Sequence, residues 1–317
     1  MNDQLLLPGL EDIQAAQERI KNVAVRTPLL ESPALSHRFN RRVFLKLECF
    51  QPIRVFKIRG AYNKISHVKE DKVVALSSGN HGLAVAYSSR LLGKKATIVV
   101  PETAVKEKVN SISEYGGEVV KVKAINEREP TANRIVRETG AAMVHPFNDP
   151  LMIAGNGTCG LEIVEQCPEV DSVVVPIGGG GLISGISIAV RTVKPSAKIY
   201  GVEPEGAPKM KEALRAGHPV NMDSKSIADG LIPPSVGDLT LECCKRNVNS
   251  VETVSDEQII SAMKTLIKEV HIFPEPSGAA STALLETGVR DRLGKNVVVV
   301  VSGGNVSLEL LSRVLSQ

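Results

Sequence analysis

The sequence predicts an α/β fold in which parallel strands alternate with helices. Short runs rich in valine and isoleucine recur along the 317-residue chain, and most precede small residues or a helical pattern. Their hydrophobicity is continuous rather than alternating, which is typical of strands buried on both faces of a parallel sheet. Amphipathic stretches lie between the runs, and this alternation favours the α/β class.

The predicted strands follow one another along most of the chain. They cover residues 72–76, 95–101, 118–122, 172–177, 198–203 and 296–301. Helical patterns occupy residues 82–93 and 105–117, and residues 126–140 are polar and then helical. Residues 143–150 predict a strand followed by a turn, and domain boundaries are expected near residues 71 and 148.

Composition excludes several classes of protein. Hydrophobic residues make up 43% and charged residues 23%, as in ordinary globular proteins, and a formal charge of +3 without a long basic run argues against a nucleic-acid partner. The five cysteines lack C-x-x-C spacing, which indicates reduced thiols in a cytoplasmic protein rather than disulfides or a zinc site. The chain has no run of about 18 apolar residues, and its start lacks signal-peptide features, so no membrane partner is expected.

Three predicted strands end in small-residue turns, at residues 75–82, 174–185 and 299–307. A glycine-rich turn between a strand and a helix leaves backbone N–H groups free to bind an anion. Four consecutive glycines at residues 178–181 favour a phosphate site over close helix packing, because each glycine costs backbone entropy on folding. The same segment loosely matches G-x-G-x-x-G, and Glu203 follows the next strand. A dinucleotide-binding site is therefore an alternative interpretation of this segment.

Lys57 stands alone in the apolar run Val55-Phe56-Lys57-Ile58. It either lies on the polar face of an ordinary amphipathic segment or is an amine whose apolar setting lowers its pKa and raises its nucleophilicity. Open sheets bind ligands beyond the C-terminal ends of their strands, so the three turns are expected to converge on one ligand. A phosphate-bearing ligand beside an activated lysine suggests a Schiff base with pyridoxal phosphate.

Seven short motifs occur together in one order. They are FKIRGA (56–61), SSGNHG (77–82), HPFNDP (145–150), GGGGL (178–182), IADGL (227–231), EPSGA (275–279) and SGGN (302–305). Together they resemble the fold-type II pyridoxal-phosphate enzymes of the serine/threonine dehydratase and serine racemase family, in a short form without a regulatory domain. The similarity implies a fold like that of the tryptophan synthase β-subunit, with two open, twisted, mostly parallel sheets flanked by helices.

The resemblance also implies an organisation and an assembly. Residues 1–71 and 149–317 are expected to form a large cofactor-binding domain, and residues 72–148 a small domain. The active site is expected in the cleft between them. A homodimer or higher homo-oligomer acting on a small amino-acid substrate is expected.

Site residues follow from the same resemblance. Lys57 is expected to hold pyridoxal 5'-phosphate covalently, and Lys57 and Ser78 are the candidate catalytic residues. The candidate cofactor-binding residues are Phe56 beside the ring, Asn80 at the ring hydroxyl, Gly178, Gly179, Gly180, Gly181 and Leu182 around the phosphate, and Ser302 at the pyridine nitrogen. The residues expected to bind the substrate carboxylate are Ser77, Asn80, His81 and Arg128.

The implied reaction is β-elimination, in which threonine or serine gives a 2-oxo acid and ammonia. Lys57 would remove the α-proton, and a serine at position 302 favours prompt elimination because it cannot hold a protonated pyridinium as a carboxylate would. Ser78 makes racemase activity an alternative, because the matching serine of racemases acts on the ring face opposite the lysine. In the other interpretation Ser78 is only a small turn residue. A nucleotide-binding protein is the alternative from a different class.

Two segments depart from the family pattern. Ile53, Arg54 and Val55 replace the usual Thr-Gly-Ser before the lysine, which predicts either neutral repacking or a preference for a bulkier or anionic substrate such as phenylserine or hydroxyaspartate. Lys209 stands where racemases and some dehydratases carry an acidic ligand of a divalent cation, although Glu203 and a carbonyl position match. We therefore expect no metal ion.

The segment HPFNDP carries one further indication of activity. Phe147 within it resembles the dehydratases rather than the racemases. The resemblance at this position therefore favours elimination.

Overall fold

The structure, a computed structural model, describes residues 5–104 and 106–316. Residues 1–4, part of the opening stretch in which no signal peptide is expected, and Val105, the first residue of one predicted helix, lie outside the described residues. The strands are β1 Leu29–Glu31, β2 Arg42–Leu47, β3 Lys72–Leu76, β4 Lys95–Pro101, β5 Gly117–Val122, β6 Ala142–Met143, β7 Ser172–Pro176, β8 Lys198–Pro204, β9 Ser250–Val254 and β10 Asn296–Val301.

The α-helices lie between these strands and at both ends of the described chain. They are α1 Leu10–Ile20, α2 Pro33–Phe39, α3 Lys57–Ser66, α4 Asn80–Leu91, α5 Lys106–Glu114, α6 Arg128–Thr139, α7 Pro150–Gln166, α8 Gly181–Val193, α9 Lys209–Ala216, α10 Asp238–Asn247, α11 Asp256–Val270, α12 Pro276–Ala283 and α13 Leu308–Ser316. Short 3-10 helices lie at Glu48–Phe50, Ile125–Glu127, Asp229–Leu231, Leu284–Glu286 and Gly288–Arg292.

The larger sheet has six strands in the order β1-β2-β10-β7-β8-β9. Only the pairing of β1 with β2 is antiparallel among the described strands of this sheet. In the central strand β10, Val299 lies opposite Leu45 on one side and Val174 on the other. Its valines alternate between two apolar cores, one built with α2, α11 and α12 and the other with α7 and α8. Burial on both faces explains the continuous hydrophobic runs.

The smaller sheet has four parallel strands in the order β5-β4-β3-β6. One face packs against α3, α4 and α5 through Ile58, Ala84 and Ile112. The other face packs against α6 through Ala132. Because α3 packs on the smaller sheet and also contacts α7, it lies between the two sheets.

The predicted α/β fold with two mostly parallel sheets is confirmed, and the six strands predicted between residues 72 and 301 are present with ends shifted by a residue at most. The strand predicted at the start of residues 143–150 is the two-residue β6, which shares only Met143 with that segment. Strands β1, β2 and β9 were not predicted. The turn after β10 differs from the prediction, because α13 begins only at Leu308 rather than directly after the glycines. Among the helices of the described chain, none has both the length and the apolar character needed to cross a bilayer.

Candidate active site

Lys57 is the first residue of α3. Its Nζ donates a hydrogen bond to the carbonyl oxygen of Pro146 at 2.9 Å and lies 5.1 Å from the centre of the Phe56 ring. Burial lowers the pKa of Lys57 from 10.5 to about 8. More of this amine is therefore neutral and nucleophilic near neutral pH than in an exposed lysine. Lys57 is thus not an ordinary lysine on a solvated helix face.

A buried ionic network holds the opposite face of α3. Arg59 lies two residues beyond Lys57, which on a helix points to the other side. Its guanidinium donates to Glu48 and to Glu162, each at 2.7 Å, and Lys46 donates to Glu162 at 2.5 Å. Two cations and two carboxylates balance in charge, so the helix that carries Lys57 is fixed by directional contacts.

Sequence reasoning missed this network. Its members are far apart in the chain, and Lys46 and Arg59 look like surface residues by type. The available signal was a charged side chain inside an apolar run, as with Lys46 in the segment FLKL of β2.

The four consecutive glycines join β7 to α8. Gly180 has φ +95°, in the left-handed region that favours glycine, and α8 begins at Gly181. A Cβ at Gly179 would lie 2.1 Å from the ring of Phe147, and one at Gly180 would lie 2.7 Å from Thr240. The glycines therefore allow close packing as well as leaving the first N–H groups of α8 available to an anion.

The first and third turns meet through Asn80. Its Nδ2 donates to Glu275 Oε1 at 2.7 Å, and its Oδ1 accepts from Asn305 Nδ2 at 2.8 Å. Glu275 is 3% exposed, and burial raises its pKa to about 8. The carboxyl group therefore holds its proton near neutral pH. These two contacts fix which end of the Asn80 amide is the donor, and sequence reasoning did not identify Glu275 as part of the site.

His81 is the second residue of α4 and is 4% exposed. Its Nε2 lies 3.0 Å from the carbonyl oxygen of Val144, so Nε2 carries the proton and donates it there. Burial, with the nearby Lys57 amine, lowers the pKa of His81 to about 3. The imidazole is therefore neutral, and Nδ1 has no partner in the described part of the chain. The unprotonated Nδ1 can accept a hydrogen bond but cannot donate one. His81 can therefore donate to a carboxylate only through its backbone N–H.

The remaining predicted residues lie at the ends of elements. Ser302 follows β10 and is 3% exposed, with Oγ 3.4 Å from the carbonyl oxygen of Ser277. Ser77 follows β3, and its Oγ accepts from Gly79 N at 3.2 Å; Ser78 lies in the same turn. Arg128 opens α6, where burial lowers its pKa. Leu182, in the first turn of α8, is buried in the apolar core of the larger sheet.

The unusual stretch before Lys57 divides into two parts. Ile53 and Val55 are each 1% exposed and pack in the apolar core beneath the smaller sheet. Arg54 is exposed and has φ +58°, a conformation that costs a non-glycine residue about 1–2 kcal/mol. Its Nε donates to Asn305 Oδ1 at 3.0 Å. The geometry favours repacking for Ile53 and Val55 and leaves Arg54 as the polar residue of the three.

The segment predicted to lack a metal holds an amine in place of an acidic ligand. Lys209 Nζ lies 3.4 Å from Glu203 Oε1 and donates to the carbonyl oxygens of Ala207 and Leu231. Within residues 5–104 and 106–316, no group of three or more His, Cys, Asp or Glu side chains is placed to hold a metal ion. These residues do not fit a divalent cation.

Known proteins resemble this chain over nearly its full length. A family model described as "Pyridoxal-phosphate dependent enzyme" matches residues 20–303. An L-threonine ammonia-lyase of Thermotoga maritima is 41% identical, covering 97% of this chain and 78% of its own. A beta-hydroxyaspartate dehydratase of Paracoccus denitrificans is 39% identical, covering 97% and 99%. The structure of maize serine racemase superposes with a TM-score of 0.92 at 37% identity, covering 98% of each chain.

Proposed function

The chain belongs to the pyridoxal-phosphate-dependent enzymes, and we propose that it eliminates water from a β-hydroxy amino acid and releases a 2-oxo acid and ammonia. Its cofactor is pyridoxal 5'-phosphate, and its fold is that of the fold-type II enzymes. When bound, the cofactor draws electrons from the substrate α-carbon and makes the hydrogen there acidic. We propose threonine or serine as the substrate, with the steps carried by the residues described above.

The described residues fit this cofactor. The turn at Gly178–Gly181 carries no side chains and lies at the N-terminus of α8, so its backbone N–H groups are accessible to a phosphate, which is favoured there. Lys57 offers an amine with a lowered pKa for the covalent bond. Ser302 offers a buried hydroxyl, which suits a neutral pyridine nitrogen.

One observation carries the proposal of elimination: the amine of Lys57, the residue expected to hold the cofactor, is tuned to take up a proton near neutral pH. Its pKa of about 8 lies close to neutral pH, where a general base is effective. His81 is held neutral with a pKa of about 3, and burial with the Lys57 charge also lowers the pKa of His145. A lysine amine with this pKa suits removal of the α-proton, which precedes loss of the β-substituent.

The residues around Lys57 then bind and orient the substrate. We propose that the first-turn N–H groups of α4, at Asn80 and His81, bind its carboxylate together with Ser77 and Arg128. Glu275 and Asn305 hold the Asn80 amide, which fixes the residue that begins α4. Lys57 would hold the cofactor through its amine and, once freed, would take the α-proton of the substrate.

The names of the relatives support this class of reaction. The Thermotoga protein is named for threonine and the Paracoccus protein for β-hydroxyaspartate, and both names denote elimination from a β-hydroxy amino acid. The exposed guanidinium of Arg54 could bind the side-chain carboxylate of hydroxyaspartate, so this anionic substrate is also a candidate.

A substrate panel tests the proposal. Purified holoenzyme is assayed for 2-oxo acid release from L-threonine, L-serine, L-threo-3-hydroxyaspartate and L-phenylserine. We expect release from at least one, and Lys57→Ala lowers kcat by about 10³-fold or more. Lys69→Ala, an exposed lysine just beyond the same helix, is the matched control. Absence of 2-oxo acid from every substrate would contradict the proposal.

Racemisation is the second candidate, favoured by the superposition on a serine racemase and by Ser78 in the turn before α4. A second acid/base is needed on the face opposite Lys57, and Ser78 is the candidate. We then expect formation of D-serine from L-serine, lost in Ser78→Ala while elimination from the L-enantiomer is largely retained. If Ser78→Ala and the wild type have the same rates toward each enantiomer, Ser78 has no acid/base role and is only a turn residue.

We also propose a cytoplasmic homo-oligomer. All five cysteines are free and buried, which suits a reducing compartment. The oligomer rests on the family resemblance, and light scattering of the purified protein measures it directly. A monomer at working concentration would contradict this part.

A further inference from the structure

Lys209 is a fully buried lysine at the start of α9. Its Nζ donates to the carbonyl oxygen of Ala207 at 2.6 Å and to that of Leu231 at 2.9 Å, and it lies 3.4 Å from Glu203 Oε1. A buried ammonium is unfavourable unless charge and hydrogen bonds compensate for its lost hydration. Here three oxygens surround it, one of them from a carboxylate.

Glu203 completes the arrangement. It lies in β8 and is fully buried, and its two oxygens accept the backbone N–H groups of Met210 at 2.8 Å and Lys211 at 3.0 Å. These donors form the first turn of α9, where a negative charge is favoured. One carboxylate and two carbonyls form a set of hard oxygen ligands of the kind that cations take in proteins. In this chain the ammonium group of Lys209 lies among these three oxygens.

The segments that this ammonium joins pack against the turn at Gly178–Gly181, the proposed phosphate cradle. Leu231 follows Gly230, whose carbonyl oxygen would lie 2.8 Å from a Cβ at Gly178. Met210 follows Lys209, and its methyl carbon would lie 2.9 Å from a Cβ at Gly180. Lys209 therefore joins two segments that pack on two different glycines of the cradle.

We propose that Lys209 acts as a tethered cation that positions the phosphate cradle, so that this chain binds its cofactor without a divalent metal ion. The ammonium supplies the positive charge that holds Glu203 and the two carbonyl oxygens together. It is a positioning residue, because it acts on the cofactor through Gly178 and Gly180. The inference concerns cofactor binding and does not depend on which amino acid is the substrate.

Cofactor affinity with and without cations tests the inference. The dissociation constant of pyridoxal phosphate is measured on apoprotein by fluorescence, in EDTA and then in excess Mg²⁺, Ca²⁺ or K⁺. We expect the wild-type constant to stay within about twofold under every condition. Lys209→Ala should weaken binding by about tenfold or more, as loss of groups that orient a binding site does. At least one added cation should restore part of the affinity, because it enters the vacated oxygen set.

Two further variants separate charge from packing. Lys209→Met keeps the side-chain length without the charge, so we expect weaker binding that no cation restores, and it serves if Lys209→Ala fails to fold. Lys211→Met removes an exposed neighbouring lysine and should behave as wild type. Three results would overturn the inference: loss of wild-type affinity in EDTA, wild-type affinity in Lys209→Ala, or a loss in Lys209→Ala that no cation reverses.

Discussion

At the scale of single residues, burial decides which side chains of the site keep or lose a proton. Lys57 and Glu275 are both desolvated, which lowers the pKa of the amine to about 8 and raises that of the carboxyl to about 8. The sequence indicated the lysine, because it interrupts an apolar run. It marked Glu275 only as the first residue of the motif EPSGA and gave it no role, because the partner that defines that role, Asn80, lies 195 residues away.

Glu275 predicts a particular pH dependence of stability. Its folded pKa of about 8 exceeds its ordinary 4.5, with burial and Asp229 raising it and Lys108 and Asn80 opposing the shift. The native state therefore keeps a proton that the unfolded state loses, so this group lowers stability progressively as pH rises from about 5 to 8. Glu275→Gln removes that trend, a change approaching about 1.4 kcal/mol per pH unit.

Urea unfolding of holoenzyme at several pH values between 5 and 8 measures this slope. Glu309→Gln, an exposed glutamate, is the control and should keep the wild-type slope. The same slope in Glu275→Gln and wild type would show that Glu275 is ionised in the native state.

Ile53 and Val55 predict a stability effect rather than a specificity effect. Both side chains are 1% exposed in an apolar core. Ile53→Thr and Val55→Ser each place a hydroxyl there, which should lower the free energy of unfolding by about 1–3 kcal/mol. We expect the ranking of substrates to stay the same, and thermal unfolding with the substrate panel measures both. A new ranking at unchanged stability would support the specificity interpretation.

At the scale of elements, the sequence predicted strands best where both faces are buried. Strands β3, β4, β7, β8 and β10 read as continuous apolar runs. The missed strand β1 has three residues, and β9 is an edge strand with the mixed sequence SVETV. Strand β2 carries Lys46, whose burial is compensated by Glu162 and Gln166 on α7 and by the carbonyl oxygen of Thr27. A pairing between distant elements cannot be read from local periodicity.

The junction of β7 and α8 gives a prediction at this scale. Gly180→Ala forces a left-handed backbone on alanine and places its Cβ 2.7 Å from Thr240, so cofactor affinity should fall by about tenfold or more. Gly217→Ala is the matched control, because Gly217 has φ +83° and nothing within 4 Å of its added Cβ. Both should lose about 1–2 kcal/mol of stability from the backbone. Equal cofactor affinity in the two variants would contradict the role of the turn.

At the scale of the whole molecule, one ion pair joins the segments that carry the two sheets. Lys108 of α5 contacts Asp229, which opens the short 3-10 helix Asp229–Leu231. The family motifs predicted the fold, which is confirmed, and they supplied the candidate site residues, because each motif is a local pattern. Contacts such as this one and the Asn80–Glu275 pair follow only from how distant segments meet.

The exposed ion pair should affect substrate binding more than stability. Such pairs contribute about 0–1 kcal/mol, so Lys108→Met should scarcely change the melting temperature. If the pair helps to hold the two parts together around the substrate, KM rises by up to about fivefold, which corresponds to about 1 kcal/mol. Lys106→Met, an exposed lysine on the same helix, is the control. The same KM in both variants would show that the pair lies outside the binding equilibrium.

We propose that Lys57 holds pyridoxal phosphate within a site to which the three glycine-rich turns contribute. Borohydride reduction of the holoenzyme fixes the cofactor on whichever lysine bears it, and peptide mass spectrometry identifies that residue. We predict a single labelled peptide containing Lys57, and no labelled peptide in Lys57→Ala. Label on any other lysine, or no label in the cofactor-loaded wild type, would contradict the claim.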